Sequence, residues 1–119
     1  MAAGVTDLYI EQGATFTRTL TLESSPGVPI NLNGYVARGK IKTGATSVNS
    51  IADFVCTIVA PLTGVIEVSL TSTITEGIPT TGEKYSSVSK YYYDIEIESG
   101  GVVTRLLNGQ VTVSPEVTK

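Results

Sequence analysis

The stretch KYYYDIEIES-GG-VVTRLLNGQVTV, residues 90–113, decides the fold of this chain. Its first arm alternates: Tyr91, Tyr93, Ile95 and Ile97 share one parity, and Tyr92, Asp94, Glu96 and Glu98 share the other. Alternation with period two is typical of a strand with one buried face. Ser99, Gly100 and Gly101 suit a tight turn, and the second arm is rich in β-branched and aliphatic residues. The stretch therefore predicts a long hairpin whose apolar face needs a further sheet to cover it.

The remainder of the chain repeats this pattern in shorter segments. Strands are predicted over residues 6–10, 14–22, 35–42, 53–59 and 65–70. Turn residues stand between them at Ser24–Gly27, Asn31–Gly34 and Pro61–Gly64. The pattern predicts an all-β chain, an immunoglobulin-like antiparallel β-sandwich of seven to nine short strands, with a closed barrel as the alternative.

Two local departures from plain strand are expected. One helical turn is allowed between Leu70 and Ile78, with Ser72 as its cap and Gly77 at its end. Gly109, inside the last apolar segment, indicates a bulge or a short turn.

The length of 119 residues fits one domain over residues 1–119, with residues 1–5 as a flexible N-terminal arm. The N-terminus has no basic region followed by an apolar run, and no stretch reaches the ~20 apolar residues of a membrane span. We therefore expect synthesis and folding in a cytoplasm, and no membrane contact.

The residue chemistry argues against an enzyme. The chain has no histidine, which removes His-based triads and His-ligated metals. Its single cysteine, Cys56, is interpreted as a small buried hydrophobe. The carboxylates Asp94, Glu96 and Glu98 are interpreted as a solvated outer face, because a calcium site needs six to eight oxygens. We expect no catalytic residue, no metal, no cofactor and no small-molecule substrate.

The net charge of −3 comes with scattered cations, apart from Arg38, Lys40 and Lys42 on alternate positions of one predicted strand. A nucleic-acid binder shows a broad basic field with aromatic platforms. These three cations are instead interpreted as a solvated face that also protects a sheet edge. No nucleic-acid partner is expected.

Four blocks of the chain resemble a known group of proteins. They are Ile-Glu-Gln-Gly-Ala-Thr-Phe at 10–16, Pro-Ile-Asn-Leu-Asn-Gly-Tyr-Val-Ala-Arg at 29–38, Tyr-Tyr-Asp-Ile-Glu-Ile at 92–97, and the segment from Arg105 to Lys119. Together they resemble small β-sandwich structural proteins of tailed bacteriophages and are similar to the N-terminal module of phage baseplate upper proteins. The resemblance implies a non-enzymatic virion component of the tail, baseplate or neck, made in the host cytoplasm. It implies binding to other virion proteins and to copies of itself.

Such a protein would contact its neighbours by strand addition or by isologous packing. The contacts are predicted in residues 1–6 and 79–90, and the six candidate residues are Val5, Thr6, Gly82, Lys84, Tyr85 and Tyr92. Two alternatives remain open at this point. One is a capsid decoration or cement protein. The other is a β-sandwich that binds carbohydrate or a host surface, for which the run Tyr91–Tyr93 would be a platform.

Overall fold

The computed structural model describes residues 4–44, 50–81 and 87–116. Its strands are β1 (Gly4–Val5), β2 (Leu8–Glu11), β3 (Phe16–Thr21), β4 (Glu23–Ser25), β5 (Val28–Pro29), β6 (Val36–Lys42), β7 (Ala52–Ala60), β8 (Val65–Leu70), β9 (Ser89–Ser99) and β10 (Val102–Ser114). A 3-10 helix spans Pro61–Thr63, and one short α-helix, α1, spans Ser72–Glu76. Within the described ranges no helix is long and apolar enough to cross a bilayer.

The predicted hairpin is confirmed. β9 and β10 pair antiparallel from Ser89 to Val113, joined by Gly100 and Gly101 at φ +57° and +83°. Two successive positive φ angles fit the turn to the right-handed twist of the strands. The two strands have 11 and 13 residues and form the long hairpin that was predicted.

The strands form two layers joined through β7. Sheet A has the order β1-β10-β9-β6, with β2 also on β10 and residues 52–54 of β7 on β6. Sheet B contains residues 55–60 of β7, then β8 and β3. The central strands of sheet A take the C, F and G positions of an immunoglobulin sandwich, and those of sheet B take D, E and B. The predicted all-β, immunoglobulin-like sandwich is therefore confirmed.

The inner faces of the two layers supply one apolar core. Sheet A contributes the inward side chains of the hairpin, and sheet B contributes Ile66, Val68 and Leu70. The ring of Phe54 lies 6.1 Å from that of Phe16 and 6.1 Å from that of Tyr93, so aromatic contacts connect the layers. The prediction that Tyr91 and Tyr93 point inward is confirmed.

Two buried side chains, those of Tyr91 and Gln12, form hydrogen bonds to backbone groups at the border of this core. The Tyr91 hydroxyl, near the start of β9, donates to the carbonyl of Pro79 in the preceding segment. The buried Gln12 side chain donates through Nε2 to the Ile78 carbonyl at 2.9 Å and accepts through Oε1 from the Glu116 amide at 2.9 Å. These bonds satisfy backbone groups that would otherwise lack partners in the interior.

The N-terminal segment differs from the expectation. Gly4 and Val5, predicted in a flexible arm, form strand β1 on Leu107 and Asn108, while residues 1–3 lie outside the described part. Both β1 and β2 run parallel to β10, so the sandwich is not purely antiparallel. The alternation of apolar residues in the hairpin could not predict the parallel pairing. It shows which side chains face the core, but not the direction in which a neighbouring strand runs.

The predicted bulge at Gly109 is wrong. Gly109 pairs in register with Tyr93, and the register shift falls between Arg105 and Leu107 instead. The bulge at Leu106 buries that side chain while keeping Arg105 on the outer face. Gly109 is needed for another reason: a Cβ there would lie 2.2 Å from the Thr6 carbonyl oxygen.

The predicted helical turn is confirmed as α1, with Gly77 at its end. Its cap is wrong by one residue. The Thr71 side chain accepts from the Ile74 amide, and Ser72 is the first residue of the helix.

Candidate functional site

The outer face of sheet A carries a charge ladder. In register across β6, β9 and β10 lie the rows Arg38–Glu96–Arg105, Lys40–Asp94–Asn108 and Lys42–Tyr92–Gln110. Basic side chains from β6 therefore stand beside acidic side chains from β9. We name this set of nine residues the ladder.

Ion pairs connect the strands of the ladder. Arg38 Nε lies 2.6 Å from Glu96 Oε1, and Arg38 Nη1 lies 2.8 Å from Glu98 Oε1. These hydrogen bonds to Glu96 and then Glu98 raise the pKa of Arg38 above its ordinary value. Longer contacts of 3.7 Å join Arg105 to Asp94 and Lys40 to Asp53. Opposite charges thus favour β6 and β9 as neighbouring strands over a pairing in which like charges meet.

The prediction that the basic stripe protects a sheet edge is wrong, because β6 lies between β9 and β7. From the sequence alone, the two charged stripes are also interpreted separately, each as a solvated face. The structure places them on neighbouring strands, where they neutralise each other. A signal was available: both stripes alternate, one is basic and the other acidic, and opposite charges suit cross-strand neighbours. What was missing was the knowledge that β6 and β9 are adjacent.

A concavity of about 690 Å³ lies on this outer face. Its lining includes Lys42, Tyr92, Asp94, Asn108 and Gln110, and Val5 stands at its rim. Among the described buried side-chain polar atoms, Asn108 Oδ1 has no hydrogen-bond partner. The concavity thus combines one aromatic ring with amide, carboxylate and ammonium groups.

The N-terminal segment builds the rim of the concavity. The Thr6 amide donates to the Asn108 carbonyl at 2.9 Å, and the Tyr93 hydroxyl donates to the Thr6 carbonyl at 2.5 Å. Asp7 Oδ1 accepts from the Gln110 amide at 3.0 Å. Burial, assisted by the charge of Asp7 and opposed by that of Arg18, raises the pKa of Tyr93. The hydroxyl therefore stays protonated and keeps donating at neutral pH.

The six predicted contact residues have different outcomes. Val5, 78% exposed, and Tyr92, 43% exposed, both line the concavity. Thr6 is half-buried, and its backbone amide and carbonyl are both hydrogen-bonded. Gly82, Lys84 and Tyr85 lie outside the described residues. The structure therefore brings two of the six together at one place.

The outer face of sheet B contrasts with the ladder. Its rows in register are Thr17–Ser69–Val55, Thr19–Glu67–Thr57 and Thr21–Val65–Ala60. Glu67 is the one charged residue in these rows. β3 stands at the end of the strand order, and among the described strands it pairs with β8 alone. The contact prediction named no residue of this open edge, although the Thr–apolar alternation of β3 was visible in the sequence.

Cys56 lies in the sheet B part of β7 and is half-buried. Burial raises the pKa of its thiol to about 11, so the group is a neutral thiol at physiological pH. In the described part of the chain, no group of three or more His, Cys, Asp or Glu side chains is placed to hold a metal ion.

These features define the chain as an immunoglobulin-like β-sandwich with one charged and one nearly uncharged outer face. No protein-family model and no curated protein matches it. Among solved structures, it is similar to the natural killer cell receptor NKp44, described as a triggering partner in natural cytotoxicity. That match has 12% sequence identity and a TM-score of 0.41, and covers 98% of this chain and 100% of the receptor chain.

Proposed function

We propose that the chain is a non-enzymatic structural protein of a tailed-phage virion, assembling in the tail, baseplate or neck region. Its partners are other virion proteins and copies of itself. The sequence blocks at 10–16, 29–38, 92–97 and 105–119 support the virion assignment through their resemblance to phage β-sandwich proteins. The absence of histidine from the sequence supports a role without catalysis.

The open edge of β3 is the observation that carries this proposal. In the described chain, Phe16–Thr21 pairs only with β8, which leaves one side of the strand open to a further strand. An incoming strand gains main-chain hydrogen bonds at such an edge. The outward side chains Thr17, Thr19 and Thr21 are small and uncharged and do not obstruct it.

The edge of β3 has few of the features that keep an edge strand from pairing with another chain. Edge strands are usually guarded by lysines, prolines or bulges. β3 contains no proline and has a regular register with β8, and its single charge is Arg18. Such an edge suits a chain whose strand is covered by a partner in an assembly.

The rim of sheet A supplies a second contact region. Val5 is apolar and largely exposed there, next to Thr6. We propose that these two residues, together with Gly82, Lys84 and Tyr85 of the 79–90 segment, touch neighbouring virion proteins. Tyr92, on the outer face of sheet A, is the sixth residue of this proposed contact region.

Electron microscopy of particles carrying a tagged chain tests the proposal. The tag is expected at a fixed position on the tail, baseplate or neck. The double variant Thr17→Lys, Thr19→Lys places two charges at the β3 edge and should strongly reduce the label, because lysine at an edge opposes strand addition. Ser69→Lys, on the central strand β8 of the same face, is the matched control and should keep the label.

Thermal melting of the three chains shows whether each is folded. Label on the capsid shell would favour a decoration protein instead. Unlabelled particles made with a folded wild-type chain would refute the virion assignment. Equal labelling of the edge variant and the control would refute docking through β3.

A further inference from the structure

The concavity on sheet A is an open depression with the volume of a small-ligand site. Its volume of about 690 Å³ falls within the roughly 300–1,000 Å³ of ligand pockets. Its floor comes from two neighbouring strands, with Tyr92 and Asp94 on β9 directly beside Gln110 and Asn108 on β10. The Thr6 amide donates to the Asn108 carbonyl, and the Asp7 side chain accepts from the Gln110 amide, so both residues are held against β10 beside the concavity. The polar groups therefore sit on paired strands, which position side chains more firmly than loops do.

The charges lining the concavity cancel. Three cations, Lys40, Lys42 and Arg105, face three carboxylates, Asp7, Asp94 and Glu96. Several are already engaged, since Arg38 binds Glu96 at 2.6 Å and Arg105 lies 3.7 Å from Asp94. A site for phosphate or nucleic acid would instead concentrate positive charge. A balanced lining favours a ligand that is polar and uncharged.

The remaining groups match a sugar. The ring of Tyr92 is 43% exposed and offers an aromatic surface on which the C–H groups of a pyranose can pack. The side-chain amides of Asn108 and Gln110 each carry two donors and an acceptor, and the carboxylate of Asp94 accepts. Neighbouring hydroxyls of a sugar both donate and accept, so an amide and a carboxylate side by side can satisfy them. The buried Asn108 Oδ1 has no hydrogen-bond partner among the described residues.

We propose that this concavity binds a neutral oligosaccharide of two or three pyranose units. Tyr92 stacks on one ring, and Asp94, Asn108 and Gln110 hydrogen-bond its hydroxyls. The site is separate from the β3 edge. Val5 and Tyr92 also belong to the proposed second contact region, so sugar binding is expected for the isolated chain, in which no virion partner covers Tyr92.

Titration of the full chain, followed by amide chemical shifts, tests this site. The neutral probes are maltotriose, cellotriose and chitotriose, and the charged comparison probes are sialyllactose and inorganic phosphate. At least one neutral trisaccharide is expected to give saturable shifts at Tyr92, Asp94 and Gln110. The charged probes are expected to give none there.

Three variants connect the binding to Tyr92. Tyr92→Ala should weaken binding about tenfold or more, because it removes the stacking surface. Tyr92→Phe keeps the ring and should stay within about threefold of the wild type. Tyr9→Ala is the matched control: Tyr9 is 55% exposed but lies outside the concavity lining, so its loss should leave affinity unchanged.

The proposal is overturned if no neutral probe gives saturable shifts, if only a charged probe binds, or if Tyr92→Ala binds as well as the wild type. The readout is independent of particle labelling. Glycan binding by a chain that never enters particles would refute the virion assignment alone, and particle labelling without glycan binding would refute this site alone.

Discussion

The two outer faces of the sandwich follow the same alternation but differ in charge. On sheet A the outward positions of β6 and β9 carry opposite charges that pair across the strands. On sheet B the outward positions are Thr, Ser, Val and Ala around one carboxylate, Glu67. The inner faces of both sheets supply side chains to one apolar core. Burial thus explains the inner pattern of both sheets, whereas the outer patterns need separate explanations.

The difference shows two ways to build an exposed sheet face. β-branched residues at outward positions suit a pleated strand by themselves, so sheet B needs no partner charges for its stability. The ladder on sheet A adds information about which strands are neighbours, because a basic strand placed beside another basic strand would bring like charges together. We propose strand addition at the edge of sheet B and a polar ligand on the outer face of sheet A.

The largest effect on stability is expected where β10 of sheet A receives the N-terminal segment. Gly109→Ala would place a Cβ 2.2 Å from the Thr6 carbonyl oxygen, and both are backbone-linked atoms with little freedom to move. We expect a loss of about 2–3 kcal/mol in the free energy of unfolding, measured by urea denaturation. The Thr6 and Gln110 amides should also exchange hydrogen faster, because their acceptors move away.

Gly77→Ala is the control for this substitution. Gly77 has φ −78°, and the nearest atom to an added Cβ is 3.5 Å away, so the change should stay within about 0.5 kcal/mol. Equal stability of the two variants would show that β1 and β2 are not closely fitted to β10.

A medium effect is expected from the same charge reversal on each face. Glu96→Lys places three cations in one row, between Arg38 and Arg105, and should lower the melting temperature by about 5 °C at low salt. The cross-strand neighbours of Glu67 are Thr19 and Thr57, which carry no charge. Glu67→Lys should therefore change the melting temperature by about 1 °C or less. Thermal melting at two ionic strengths measures both.

Salt should shrink the effect of Glu96→Lys, since exposed charges are screened beyond about 10 Å at 0.1 M ionic strength. If the two lysine variants change the melting temperature equally, the cross-strand charges of the ladder do not stabilise sheet A.

The smallest effect is expected at alkaline pH from Cys56 in sheet B. Its pKa is raised by burial from 9.0 to about 11, so the unfolded chain ionises first and stability falls as pH rises from 9 to 11. Below pH 9 this contribution is fully present. Because the side chain is only half-buried, solvent keeps the loss under about 1 kcal/mol.

Urea denaturation of the wild type and Cys56→Ala between pH 7 and 11 measures this loss. The difference in stability between the two chains should be constant up to about pH 9 and then decrease. Tyr91 and Tyr93, whose pKa values are also raised by burial, act in both chains and cancel in the comparison. If the difference in stability stays constant up to pH 11, the thiol ionises as readily in the folded chain as in the unfolded chain.

Much of the fold could be predicted because its signals are local. The parity of Tyr91, Tyr93, Ile95 and Ile97 marked the buried face of β9, and Gly100–Gly101 marked the turn. The end of α1 at Gly77 was also local. Two residues of the concavity, Val5 and Tyr92, could be singled out from the sequence, but as contacts with partner proteins. Its other members come from strands whose adjacency no single stretch records.

The amino-acid sequence by itself determined which side chains of each strand face inward, because that choice depends on a period of two residues and on the cost of exposing apolar groups. Only the tertiary structure decided that β6 lies beside β9, that β1 and β2 run parallel to β10, and that the bulge falls at Leu106 and not at Gly109. These are contacts between distant parts of the chain, and their energies depend on how whole strands fit together. The charge ladder and the concavity follow from them.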